Sequence, residues 1–430
     1  MTMRPTTATH HRTDRRMLLG TTLGVAGASA LAGGLPLSRR AARAQDATEI
    51  TYFTFSAAPD HLEDLDAMIV AFQEANPGVT VKVETAPYAD YFTELQTRIA
   101  GGDAPDVFEL NYENFVTYAS RDVLLDVTDR AASDPEFAAR YYPKAYEAFA
   151  LDGKQYGLPA SFSNVVLFYN KDVFDAAGVA YPTADWNWED ERAAATQLND
   201  PDNGVWGQFS PVTYNEFYKT AAQNGGTVLS EDGSVTIDSP ACAEALDYMV
   251  SAVTDGVQPS EADMAGVSDG DMFASGELAM ITTGIWMFSA FAEAPFAWDI
   301  ALEPGNTQKA HHFFANATVI AADTDQADAA WAWAQFLTSS ADVAAIRVAS
   351  SWELPALSDD SLVAGYLEQT PPDSREVVFE ALESLVTPPV VTEQAQMQDA
   401  VDQLIQQVLA GDLTSEEALA KAKTEVEGFL

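Results

Sequence analysis

The sequence predicts an α/β protein of two domains, built on mainly parallel sheets flanked by helices, and three observations carry that prediction. From Glu49 to Leu110, short runs rich in β-branched and aromatic residues alternate with amphipathic stretches, the rhythm of a parallel sheet with crossover helices. At 430 residues, against a usual domain size of roughly 100–200, the chain is long enough for two cores. Hydrophobic residues make up 47% of it, which excludes a disordered chain.

The formal net charge is −43, and it is unevenly spread. Seven of the 22 basic side chains but only one of the 65 acidic ones fall in residues 1–44, leaving 15 against 64 in the remainder. A surface of that sign repels nucleic acid and anionic lipid and favours solubility. The single cysteine, Cys242, excludes an internal disulfide and a cysteine-based zinc site, and reads as a small apolar helix residue. At the N-terminus, Arg15-Arg16 precedes a weakly apolar run from Met17 to Leu37 that ends in Ala42-Arg43-Ala44, an A-x-A cleavage pattern. Five glycines and Pro36 make that run a poor spanning helix. Residues 1–44 resemble a twin-arginine export signal, which implies a mature chain beginning near Gln45, soluble outside the inner membrane, with no membrane insertion and no cysteine at the cleavage site to take a lipid.

Glu49 to Phe55 reads as the first strand, and Leu62, Leu65, Ile69 and Phe72 mark a helix stopped by Asn76-Pro77-Gly78. Val79, Val81 and Val83 alternate as a second strand; Phe92, Leu95 and Ile99 share one face of a second helix; Asp106 to Leu110 is a third strand. Ligands of such sheets sit beyond the carboxyl ends of the strands, where Phe55-Ser56 and Asn111-Tyr112 stand. The stretch Leu151 to Phe174, LDGKQYGLPASFSNVVLFYNKDVF, turns at Asp152-Gly153, runs through the apolar strand Val165 to Tyr169 and starts a helix with Asn170 as a candidate cap.

Further along, Glu189 to Leu198 and Ala241 to Val253 read as helices, and Tyr214-Asn215-Glu216-Phe217-Tyr218 gathers aromatics with an amide and a carboxylate. Trp298 to Leu302 and Thr318 to Ala321 read as strands, Ala327 to Leu337 as a helix, and Thr414 with Glu417 as the capping box of the last helix. Asp200-Pro201-Asp202-Asn203-Gly204 does not space its carboxylates as an EF-hand loop does and reads as a turn. Adjacent His311 and His312 on an extended segment point to opposite faces and suit one metal poorly, so no metal is expected.

Several of these segments together resemble one family. GKQYGLP followed by LFYNKDVFDAAGV, AGGDAPDVFELNYENF, Phe273 to Met280 as F-x-x-G-x-x-A-M, and the Gly284-Ile285-Trp286 that follows are similar, in this order, to segments of the extracellular solute-binding proteins of carbohydrate ABC importers, the maltose-binding-protein-like family 1. The resemblance implies a periplasmic-binding-protein fold: two lobes, each a mainly parallel sheet flanked by helices, joined by three hinge crossings. It implies 45–160 and then 303–348 in lobe 1, and 161–302 and then 349–430 in lobe 2. It also implies a monomer in the periplasm or outside the cell that binds a neutral sugar or oligosaccharide between the lobes and delivers it to the transmembrane subunits of an ABC permease, without a cofactor.

The candidate binding residues on that match are Phe55, Ser56, Asn111, Tyr112 and Glu113 from lobe 1, Ser163 in the crossing stretch, and Tyr214, Glu216, Gly284, Trp286 and Phe288 from lobe 2, with Phe313, Phe314 and Trp352 from the returning segments. Gly284 lets a ring approach the backbone closely. Trp286 offers a flat face to the C–H side of a pyranose while amides and carboxylates take the hydroxyls. Glu113 and Glu216 would equally suit a polyamine, and Lys219 is the basic residue near these segments. An enzyme is not expected, and a secreted hydrolase is the alternative outside the class: Gly266-Val267-Ser268-Asp269-Gly270 spells G-x-S-x-G but lacks a preceding strand, and no P-loop, G-x-G-x-x-G or HExxH occurs.

Overall fold

The computed structural model describes residues 47–430 apart from 57 and 231, and the predicted export signal lies outside the described residues. The chain opens as β1 (Thr48–Thr54), α1 (Pro59–Ala75), β2 (Val79–Thr85), α2 (Tyr88–Gly101) and β3 (Val107–Asn111), with α3 (Tyr112–Ala119) following directly. β1 pairs in parallel with β2 and β3, as βαβ connections require. Alternation along the strands divides the core: Ile50, Tyr52 and Val107 face one cluster with Phe72 and Trp333, while Phe53, Phe108 and Leu110 face another with Tyr91 and Leu95.

β4 (Gly157–Asn170) is a fourteen-residue strand buried at every position. Its first half, Gly157 to Asn164, pairs with β7 (His311–Ile320), and Ser161–Phe162 also pair with the short β8 (Leu354–Pro355). Its second half, Val165 to Asn170, pairs with β5 (Met280–Gly284) and β6 (Trp298–Ala301). One strand thus belongs to two sheets. The register slips between Pro159 and Ser161, where Pro159 has no N–H to give the ladder. Alternation holds in the second half too: Val166 and Phe168 point into a cluster with Phe288 and Trp298, and Leu167 and Tyr169 into one with Phe174 and Met280.

The strand polarity is mixed rather than mainly parallel. β3 and β7, β4 and β7, and β4 with β5, β6 and β8 all pair antiparallel, because the segments that cross between the halves return through the middle of each sheet; the parallel pairs among the described strands are β1–β2, β1–β3 and the β9 (Leu385–Val386) contact with β7.

Asn170 caps α4 (Lys171–Ala177), accepting from the amides of Asp172 and Val173. On the far side, α5 (Tyr214–Gln223) and α6 (Pro240–Thr254) are covered by the C-terminal pair α9 (Gln394–Leu409) and α10 (Ser415–Glu427), whose Met397, Val401, Ile405, Leu419 and Val426 complete that core. The capping box of Thr414 and Glu417 is formed. Between them, α7 (Ala327–Ser339) and α8 (Ala341–Ser350) return to the first half, where Trp333 lies edge-on to Tyr52 at 5.7 Å and to Phe72 at 5.1 Å. Among the described residues no helix is long and apolar enough to cross a membrane.

Trp333 is fully buried against both α1 and β1, so Trp333→Ala is expected to lower stability by about 3–5 kcal/mol, a transfer loss plus a cavity. Urea unfolding checks it; a loss below about 1 kcal/mol would mean that this face collapses around the vacancy.

Candidate functional site

A cavity of about 430 Å³ opens where the carboxyl ends of β1 and β3 meet the middle of β4 and the first residues of α5. Its wall draws on both halves of the chain. Phe55 and Ser56 follow β1, Tyr88 starts α2, Asn111 ends β3 and Glu113 lies in the first turn of α3; Ser163 comes from β4, Asn215 from α5, Trp286 from the turn after β5, Phe314 and Asn316 from β7, and Trp352 and Glu353 from the segment before β8. Among the described lining residues there is no lysine or arginine.

Aromatic rings supply the apolar part. Phe55 stands edge-on to Tyr88 at 5.3 Å, and Trp286 lies 6.0 Å from Phe314 at a 57° tilt. Trp352 stacks on His61 at 4.5 Å, with the Arg347 guanidinium 4.4 Å from its centroid. Gly284 explains how Trp286 reaches its place. A Cβ on residue 284 would lie 1.9–2.1 Å from three atoms of the indole ring, so the ring occupies the space that any other residue would fill. The close approach that glycine permits is therefore made by the protein's own Trp286, not by a ligand.

Two carboxylates supply the polar part. Asn111 Nδ2 donates to Glu113 Oε1 at 2.6 Å and to Tyr88 Oη at 2.9 Å, and Asn111 Oδ1 accepts from Asn114 at 3.0 Å. Glu113 is 1% exposed and its Oε2 has no hydrogen-bond partner among the described residues. Burial pushes its carboxyl up to about 7. Glu353 accepts from Ser161 Oγ and, at 3.2 Å, from Asn316 Nδ2, and lies 3.5 Å from Arg347 Nη1. Behind it Glu109 accepts from Thr54 Oγ1 at 2.5 Å; burial and then the charge of Glu353 push Glu109 up to about 7 as well.

A second buried charge group lies next to the cavity. Lys219 Nζ makes ion pairs with both Glu216 and Glu303. Burial opposes its charge, but the two carboxylates hold it above the ordinary lysine range, and Lys219 in turn draws Glu303 down to about 2 against the effect of burial. Glu216, Glu303 and His312 are close enough to share a cation. The Lys219 ammonium already sits against Glu216 and Glu303, so Lys219 is held in the core by these two carboxylates.

The structure brings Phe55, Ser56, Asn111, Glu113, Ser163, Trp286, Phe314 and Trp352 around the cavity. The other predicted positions lie elsewhere. Tyr214 is fully buried among α5, α6 and α9, because the helical phase turns its neighbour Asn215 to the cavity instead. Glu216 belongs to the Lys219 group. Phe288 packs on Trp298 and Tyr366 with Arg375 4.9 Å from its ring. Phe313, adjacent to Phe314, faces away and stacks on Phe162. Tyr112 packs edge-on to Phe149, one residue short of the face that Glu113 presents. Ser268 of the G-x-S-x-G run caps a short helix, accepting from the Asp271 amide, with the helix Glu261–Met264 where a nucleophile elbow needs a strand.

Six lining positions were missed: Ala58, His61, Tyr88, Asn215, Asn316 and Glu353. Tyr88 was within reach, since it follows the carboxyl end of β2 as Phe55 follows that of β1. Asn316 and Glu353 carry no local signal; they meet only because β7 and β8 flank β4.

The family model of the bacterial extracellular solute-binding proteins matches residues 58–344. Among solved structures, an ABC substrate-binding protein from Listeria monocytogenes in complex with cycloalternan is 49% identical, with a TM-score of 0.86 over 90% of this chain and 100% of that one. A cyclic alpha-maltosyl-1,6-maltose binding protein from Arthrobacter globiformis shares the fold at 22% identity and a TM-score of 0.69, over 89% of this chain and 99% of that one. An arabinooligosaccharide-binding protein from Halalkalibacterium halodurans is 24% identical over 262 residues, 58% of this chain and 56% of that one. The chain spans about half the length of the curated relatives it matches.

A carboxyl raised from 4.5 to about 7 by folding stabilises the fold below its unfolded pKa, and that contribution disappears as pH rises through about 7. Glu113→Gln keeps the acceptor for Asn111 and removes the buried charge. The variant is expected to gain on the order of 2–3 kcal/mol over wild type at about pH 8 and little at about pH 4. Urea unfolding at both pH values checks this, and equal differences at the two would contradict the placement of Glu113.

Proposed function

Since the chain belongs to the bacterial extracellular solute-binding proteins, we propose that it captures a neutral sugar or oligosaccharide in this cavity and delivers it to the permease of an ABC importer. The observation that carries the reading is the composition of the wall: flat aromatic faces alternate with amide and carboxylate acceptors, and no lysine or arginine is among the described lining residues. A pyranose has apolar C–H faces and a rim of hydroxyls, so it needs this mixture. A phosphate or carboxylate ligand calls for a cationic fork. A polyamine calls for free carboxylates, whereas Glu353 is already engaged by Arg347, Ser161 and Asn316, and burial works against charge on Glu113.

Capture proceeds by closure of two lobes about β4 and the segments that cross beside it. The resemblance divides the chain into lobe 1, 45–160 with 303–348, and lobe 2, 161–302 with 349–430; we move the first boundary to between Asn164 and Val165, where β4 changes partners, and the last to beyond Leu357, because Trp352 and Leu357 pack with Tyr52 and Trp333. Phe55, Asn111 and Glu113 act from the first lobe, Asn215 and Trp286 from the second, and a ligand that touches both favours the closed form by its differential affinity. Residues 1–44 direct export by the twin-arginine route, and the mature chain works as a soluble monomer outside the inner membrane. Its role is binding without chemistry.

Thermal unfolding against a panel of neutral sugars, headed by cycloalternan and maltotriose and extended to sugar phosphates and polyamines, tests the reading. One neutral sugar at a hundredfold excess over its Kd is expected to add about 2.7 kcal/mol and raise the midpoint; midpoint shifts with charged solutes alone would overturn it. In calorimetric titration with that sugar, Trp286→Ala is expected to lose at least about tenfold in affinity with little loss of stability.

A further inference from the structure

His312 does not line the cavity itself, yet it contacts two residues that do, Phe314 and Asn215. It stands two positions before Phe314 on β7, so both side chains leave the same face of the strand. Their rings stack with centroids 5.1 Å apart and planes 16° from parallel. Phe314 in turn borders Trp286. On its other edge, His312 Nε2 lies 2.7 Å from the main-chain carbonyl of Asn215. A carbonyl only accepts, so Nε2 carries the proton and the ring donates to the first turn of α5. Tyr218, one turn further along that helix, meets the imidazole edge-on at 5.2 Å. The ring is 1% exposed.

We propose that His312 is a positioning residue for the ligand cavity: one imidazole sets Asn215, from the helix of one lobe, against Phe314, from the strand that crosses to the other. The inference deepens the sugar-binding reading and rests on it for its affinity arm. The chemistry of the position fits the task. Phenylalanine here would keep the stack on Phe314 but leave the Asn215 carbonyl without its donor. Glutamine would keep a donor at the reach of Nε2 but lose the ring. The imidazole does both, and burial favours its neutral form. Glu216 and Glu303 are already matched to Lys219, Nδ1 of His312 is 3.9 Å from Glu216, and burial holds the ring below its ordinary pKa. The buried Lys219 group thus anchors the element on which Asn215 is carried.

The test compares His312→Phe and His312→Gln with wild type in the mature chain, by NMR of the ligand-free protein and by titration with cycloalternan or the panel sugar that binds. His312→Phe is expected to move the side-chain amide signals of Asn215 while leaving the ring signals of Phe314 near their places, and to weaken sugar binding by about tenfold, the scale of one lost hydrogen bond. His312→Gln is expected to do the reverse in the spectra and to recover affinity to within about threefold of wild type. Unmoved Asn215 and Phe314 signals, or unchanged affinity with only a lower urea midpoint, would assign His312 a purely structural part and overturn the proposal. If His312→Phe does not fold, the spectra of His312→Gln decide alone: moved Phe314 ring signals with the Asn215 amide signals in place support the proposal, and unmoved Phe314 signals overturn it. If wild type binds no sugar on the panel, the functional reading falls, and the ligand-free spectra still decide whether His312 places the two residues.

Discussion

A backbone strand buried along its whole length has to satisfy every N–H and C=O by pairing, and in this protein that constraint falls on Gly157–Asn170. No single sheet serves all fourteen residues. The strand joins one sheet through β7 and β8 and another through β5 and β6, and the change of partners between Asn164 and Val165 is the seam of the molecule. The cavity lies at that seam, bordered by Ser163 on the strand and by the strand ends that converge on it. In the proposed closure, this is the place where a change of backbone torsion would move one lobe against the other.

The electrostatics follow the same division. With 65 acidic residues and 22 basic ones, the chain has few cations to place in its interior. It uses Lys219 to neutralise Glu216 and Glu303, and Arg347 to hold Glu353, both close to the cavity. Glu109 and Glu113 make no ion pair among the described residues, so burial shifts both toward the protonated form near neutrality. The wall thereby presents one carboxylate neutralised by Arg347 and one carboxyl shifted toward its neutral form, a surface suited to a ligand that carries many hydroxyls and no net charge.

Much of this was legible in the residues. The strand and helix order of the first lobe, the cap at Asn170 and the box at Thr414 follow from patterns that act within a few residues. The rule that ligands gather at carboxyl strand ends pointed to Phe55 and Asn111. What failed was phase and long range. An aromatic-rich run such as Tyr214 to Tyr218 does not say which of its side chains leaves the helix toward a cleft, and the structure turns Asn215 outward while Tyr214 and Phe217 fill the core. The apolar stretch Val165 to Tyr169 read as a short strand because Ser161, Ser163 and Asn164 look like loop; their burial comes from β7 and β8, over 140 residues away in sequence. The antiparallel returns were hidden for the same reason.

The fit between Gly284 and Trp286 constrains how this binding site changes over generations. The indole ring fills the space of a missing Cβ, so a larger residue at 284 has room only when residue 286 has already shrunk. A drift from Trp286 to a smaller ring frees position 284, whereas any first step at 284 displaces the tryptophan. A side chain at 284 and an unmoved indole at 286 therefore exclude one another.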